Sequence, residues 1–169
     1  MMVPSHYNDF NTTECVKFPG HQRHHVPRML TSVSVLGYEN SEELEVLDYE
    51  VFGDNAWDKS TFEQLIKDGA HTFGIRDDGV LVASALIWEE DDYTGYLSAI
   101  GVHPDYQGMG LGKELLTKTV AYYVLLHPGV IFITLSVLDN SQQLVDFYQS
   151  QGWIETDPDE GQRKMMLVV

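Results

Sequence analysis

The apolar run YLSAIGV at 96–102 leads into HPDYQGMGLGK and then into a stretch from Gly110 to Leu126. There Leu111, Leu115, Leu116, Val120, Tyr123 and Val124 recur at helical spacing. A strand running through a glycine-rich loop straight into a helix constrains the fold more than any other feature of this chain. A helix start normally has Ser, Thr, Asp or Asn as its cap and good helix formers after it, so Gly108, Gly110 and Gly112 at alternate positions cost stability. Something there requires bare backbone.

Around this junction the pattern of the chain is regular. TSVSVLG after Leu30 reads as a first strand, SEELEVLDYEVFG as a helix capped by Ser41, and NAWDKSTFEQLIKDG as a second helix capped by Ser60 or Thr61 and ended by Gly69. HTFGIR and VLVASALIWEE form a hairpin about the Asp77-Asp78-Gly79 turn. After the long helix, which HPG stops, VIFITLSVL is a nearly all-apolar strand. SQQLVDFYQSQG is a short helix capped by Ser141 and closed by Gly152, and WIET and RKMMLVV are final strands about a DPDEG turn. The order is strand, two helices, three strands, helix, strand, helix, two strands, which predicts an α/β layered domain with a mixed sheet.

Residues 1–28 hold no period for long and read as an extension ahead of a single domain at 29–169, native or left from cloning. Cys15, His21, His24 and His25 in that extension match no usual zinc-ligand spacing, and no metal is expected. A single cysteine and the lack of a basic, apolar N-terminal leader predict a reducing, cytoplasmic setting. No apolar run approaches membrane-spanning length. Ten basic against 26 acidic residues, a formal charge of -16, argue against nucleic acid or anionic lipid as partners and would favour a cationic substrate.

Spacing separates the phosphate-binding readings of the glycine stretch. The pattern G-x-x-x-x-G-K-[ST] fails at Gln107 and Glu114, and G-x-G-x-x-G fails at Lys113. Q-x-x-G-x-G does match, as Gln107, Gly110 and Gly112. With IGVHPDYQGMGLGKELL followed some residues later by SVLDNSQQLVDFYQSQGW, the chain from about Leu30 to Val169 resembles the GNAT superfamily of acyl-CoA-dependent N-acyltransferases. The fold this implies is a mixed, mostly antiparallel sheet of about seven strands flanked by about four helices, with two central strands splayed apart.

The resemblance also implies a site. Gln107, Gly108, Met109, Gly110, Leu111, Gly112 and Lys113 would cradle the pyrophosphate of acetyl-CoA, whose concentrated negative charge suits the unpaired amides and positive dipole end of a helix N-terminus. Ile100, Gly101 and Val102 would pair main chain with the pantetheine arm, which Asn140 would also contact. Tyr148 matches the tyrosine that serves the family as general acid toward the departing sulfur, a role suited to a phenol still protonated at neutral pH. Many relatives carry a basic Glu on the strand before the glycine loop, but YTGYLSA here has no carboxylate. Glu89, Glu90 and the phenol of Tyr96 are the candidates for deprotonating the acceptor.

NAWDKSTFEQLI resembles the P-W-S-x-x-x-F segment of protein N-terminal acetyltransferases, including those acting on a ribosomal protein, with Trp57 and Phe62 in matching places and Ala56 where Pro is usual. Aromatic residues between two helices are also common core anchors. The expected acceptor is a primary amine, either a peptide N-terminus or a small cationic amine. The same resemblance makes a homodimer one option for assembly. Two other functions compete: a non-catalytic acyl-CoA sensor using the same cleft, and a nucleotide-binding α/β domain, against which the missing P-loop hydroxyl speaks.

Overall fold

A computed structural model describes residues 26–138, 140–157 and 161–169. Cys15, His21, His24 and His25 lie outside the described residues. Seven strands form one sheet in the order β1-β2-β3-β4-β5-β7-β6: β1 Ser34–Leu36, β2 His71–Asp77, β3 Val80–Asp91, β4 Thr94–Val102, β5 Phe132–Leu138, β6 Ile154–Glu155 and β7 Gln162–Val168. All neighbouring pairs are antiparallel except β4 with β5.

Four α-helices cover the sheet in two layers: α1 Ser41–Phe52 and α2 Lys59–Lys67 on one face, α3 Leu111–Leu126 and α4 Gln142–Ser150 on the other. Strand alternation sorts the core accordingly. Ile75, Ile87, Leu97, Ile133, Leu135 and Val137 face α3 and α4, while Leu86, Trp88 and Ala99 join Leu44, Leu47 and Phe62 beneath α1 and α2. Burying a Leu or Ile side chain is worth about 1.5–3 kcal/mol, so these two apolar layers dominate the stability of the domain.

Both early helices start differently from the sequence expectation. Asn40 occupies the cap position of α1, and the Ser41 hydroxyl donates instead to the carbonyl of Tyr38 at 2.7 Å. A carbonyl one turn back competes for that hydroxyl. In α2 the cap is Asp58, which accepts the Thr61 amide at 2.8 Å, so Ser60 and Thr61 lie inside the helix. A carboxylate is the stronger acceptor for an orphan amide.

Two irregularities in β4 prepare the site. Between Ser84↔Gly101 and Leu86↔Ser98, β3 advances two residues while β4 advances three, which is a β-bulge. Ala99 sits in it at φ +49° and is buried, a conformation that a non-glycine residue adopts at a cost. In addition, β4 pairs with β5 only over Thr94↔Phe132, Gly95↔Ile133 and Tyr96↔Thr134. Beyond Tyr96 the two parallel strands diverge.

Candidate functional site

The divergence leaves one edge of β4, from Leu97 to Val102, without a strand beside it, while its other edge stays paired with β3. Backbone donors and acceptors along an unpaired edge need partners. Ile100, Gly101 and Val102 lie on this stretch. Gly101 also allows close approach from the other layer, since a Cβ there would meet both γ-carbons of Val51 at 3.2 Å.

At the end of β4 the chain makes a single 3-10 turn, Pro104–Tyr106, and then the glycine loop. The Gln107 side chain donates to the Val102 carbonyl at 3.0 Å, tying the loop back to the strand. Gly108 and Gly110 hold nearly the same left-handed conformation, φ +80° and +81°, and a Cβ built on either would meet nothing within 4 Å. Gly110 stands at the cap position of α3 with no side-chain acceptor for the first amides of the helix. The glycines thus turn the backbone as only glycine does cheaply, and leave open space beside the loop. Gly108, outside the Q-x-x-G-x-G pattern, is as conformationally demanding as Gly110. Lys113 is exposed on the first turn of α3, and Leu111 and Gly112 are buried beneath it.

Tyr148 lies on α4 in the layer shared with α3. It is wholly buried, edge-on to Trp153 at 5.6 Å and to Phe147 at 5.3 Å. Asn140 is exposed just before α4.

The base candidates separate. Glu89 pairs with Gly95, and Gly95 lies against the Tyr123 ring of α3, so Glu89 faces the α3 layer. There its charge adds to burial in pushing the Tyr123 phenol up to about 12. Tyr96 points the other way, packed on Trp88 with ring centres 5.0 Å apart in the α1/α2 layer. It occupies the last paired position before β4 and β5 part. Glu90 alternates to the same face as Tyr96 and accepts the Thr134 hydroxyl of β5 at 2.9 Å.

Trp57 and Phe62 are both core residues in edge-on contact at 5.7 Å. The groove beside them, about 480 Å³, is lined among others by Glu45, Tyr49, Glu50, Asp54 and Asp58. Val51 and Phe52, at the end of the same helix α1, are the side chains that a Cβ at Gly101 would meet.

Residues 38–153 match the model of the Acetyltransferase (GNAT) family. The chain belongs to that family. Among solved structures, this GNAT domain is similar to the ribosomal-protein-S18-alanine N-acetyltransferase from Escherichia coli, with TM-score 0.72 and 23% identity over 83% of this chain and 94% of the other. It is also similar to the PaiA N-acetyltransferase from Thermoplasma acidophilum in complex with coenzyme A, with TM-score 0.69 and 17% identity over 82% and 100%. These likenesses establish the GNAT fold. A curated relative from Prochlorococcus marinus, an uncharacterized N-acetyltransferase ycf52-like, is 39% identical over 72 residues, which make up 43% of this chain and 32% of the relative. The matched segment thus spans about a third of that protein.

The GNAT frame makes three features readable that the sequence hid. Ala99 gives no sign of a bulge, the place where β4 and β5 part depends on register, and Asp77 reads as an ordinary turn residue. Among the described residues no group of three or more His, Cys, Asp or Glu side chains is arranged to hold a metal ion.

Proposed function

We propose that this protein is an N-acetyltransferase that moves an acetyl group from acetyl-CoA to a primary amine. One observation carries the reading: an uncapped helix N-terminus, reached through two left-handed glycines with open space beside them, follows a strand edge that nothing in the sheet pairs. The residues present fit the cofactor's two polar parts. The amides at the start of α3 and Lys113 would hold the pyrophosphate, and the edge of β4 at Ile100, Gly101 and Val102, with Asn140, would hold the amide-bearing arm. Bound there, the cofactor supplies an activated acyl group as a thioester.

The two faces of the sheet divide the work of the chain. Tyr148, on the α3/α4 side, is our general acid for the departing thiolate, a role suited to phenols, whose ordinary pKa is about 10. Glu90, on the opposite face, is our group for receiving the acceptor's proton through water, with the Tyr96 phenol at the fork hydrogen-bonding that water. Glu89, on the α3 side, is the least well placed of the three base candidates. In direct attack the neutral amine adds to the thioester carbonyl to give a tetrahedral centre; as the C–S bond breaks, the thiolate takes the Tyr148 proton and the new ammonium gives up a proton through water to Glu90.

The acceptor is a cationic amine in this reading, supported by the acidic groove beside α1 and by the formal charge of -16. The strength of base required depends on it. An α-amine of pKa near 8 is about a tenth neutral at pH 7, whereas a lysine amine is neutral to about a few parts in ten thousand. A weak base such as a water-linked carboxylate therefore favours a peptide N-terminus.

The test is incubation with acetyl-CoA and a library of peptides and small amines, read by mass spectrometry. A mass gain of one acetyl group on α-amines supports the reading. Tight CoA binding without turnover on any amine would favour a sensor instead.

A further inference from the structure

In Asp77-Asp78-Gly79 a turn aspartate would ordinarily point to water. Asp77 does the opposite. It is 5% exposed, and its two oxygens collect donors from distant parts of the chain. Oδ1 accepts the amides of Met29 at 2.6 Å and Arg28 at 3.0 Å. Oδ2 accepts the Tyr106 hydroxyl at 2.6 Å and lies 3.3 Å from the Arg28 amide. A buried carboxylate needs such donors to remain charged. Tyr106 in turn is pushed up to about 12, chiefly by this hydrogen bond, so it stays a donor across the physiological range.

Tyr106 is the residue immediately before Gln107, and its ring packs on the α3-side core. The turn it closes is gripped at both ends as well, by the His103 amide on the Val82 carbonyl at 2.8 Å and by the Gln107 side chain on Val102. On the other side of Asp77, residues 28–31 run against the end of β2. The Thr31 amide donates to Arg76 at 2.8 Å, the Asp78 amide donates to Met29 at 3.0 Å, and Leu30 bridges to Asp77.

We propose that Asp77 is a positioning residue for cofactor binding: by gripping Tyr106 it sets the exit of β4 into the glycine loop, and through Arg28 and Met29 it couples that loop to the chain entering the domain. The proposal rests on the reading of residues 107–113 as the CoA cradle. Without the grip, the loop amides are no longer arranged in advance, and cofactor binding must also supply the free energy of ordering them. The loss therefore falls on cofactor affinity and spares the rate at saturating cofactor.

Two measurements on the full chain test this. Amide hydrogen exchange over 103–113 without cofactor, compared between the unchanged protein and Tyr106→Phe, should be faster in the variant while the exchange of β5 and α4 is unaltered. Calorimetry with CoA should show Kd raised about tenfold in Tyr106→Phe, equivalent to about 1.4 kcal/mol, with kcat at saturation within about twofold. Asp77→Asn should do the same more strongly. If it fails to fold, Tyr106→Phe, which removes a single hydroxyl, decides alone. Unchanged exchange, or an unchanged Kd in a protein that binds CoA, overturns the positioning role. Absence of CoA binding by the unchanged protein refutes the cradle, and with it the cofactor role of Asp77, even where faster exchange shows that the grip on the loop is real.

Discussion

Gly110→Ala separates the conformational role of the glycine loop from its binding role. Gly110 has φ +81° and open space within 4 Å of where a Cβ would stand, and Gly79, at the β2–β3 turn, has φ +83° with the same open surroundings. Placing Ala in a left-handed conformation costs about 1–2 kcal/mol. Both substitutions should therefore lower Tm by a similar amount, roughly 2–8 °C for a chain of this length. Their effects on cofactor should differ. In the proposed complex a methyl group at Gly110 enters the open space beside the loop where the pyrophosphate would lie, and losing one charge-assisted hydrogen bond there costs about 1.5–3 kcal/mol. Calorimetry with CoA should then give a Kd at least about tenfold higher for Gly110→Ala and an unchanged Kd for Gly79→Ala. Equal CoA affinity in the two variants, at equal Tm loss, would refute the argument that these glycines clear room for a ligand.

Tyr148→Phe should lower kcat by about a hundredfold or more while leaving acetyl-CoA affinity within a few-fold, since general acid catalysis commonly contributes that much; an unchanged kcat removes the assignment. Asp48, 2% exposed and accepting the Trp57 amide at 2.7 Å, has its carboxyl pushed up to about 7 by burial. The unfolded chain releases that proton near pH 3.9, so the folded state loses up to about 4 kcal/mol of relative stability as pH rises from 4 to 7. Asp48→Asn should accordingly gain in Tm over the unchanged protein between pH 5 and pH 8, and a constant difference would contradict the assignment. His71 and His127 place their Nε2 atoms 3.1 Å apart with ring centres 5.3 Å apart, a nearly head-on arrangement suited to one shared proton. Burial, and then the charge of His127, hold His71 below its ordinary range. The stability tied to the lowered His71 is present above about pH 6.5 and lost as pH falls further. His71→Gln should flatten the fall of Tm between pH 7 and pH 5, and an identical slope would sink the idea.

The elements with strong periodicity are legible from sequence alone. The span Gly110 to Leu126 is α3 with its cap residue, and VIFITLSVL contains all of β5, because apolar spacing and burial agree there. The caps of α1 and α2 escape a local reading because several polar residues stand within reach of each helix start, and geometry rather than residue type chooses among Asn40, Ser41 and Asp58. At the site, the glycine loop is visible as a motif. The separation of Glu89 from Tyr96 onto opposite faces follows from strand alternation once the end of β3 is known. The bulge at Ala99 and the grip of Asp77 on Tyr106 depend on contacts between residues far apart in sequence, about which local patterns are silent.

Titration of the isotope-labelled protein with CoA, followed by backbone amide NMR, tests the central claim most directly. Saturable shifts are predicted at Gly108 to Lys113 and along β4 from Leu97 to Val102, with residues of β1 and α2 unaffected. Saturable binding that leaves the amides of Gly110, Leu111 and Gly112 unmoved would contradict the account.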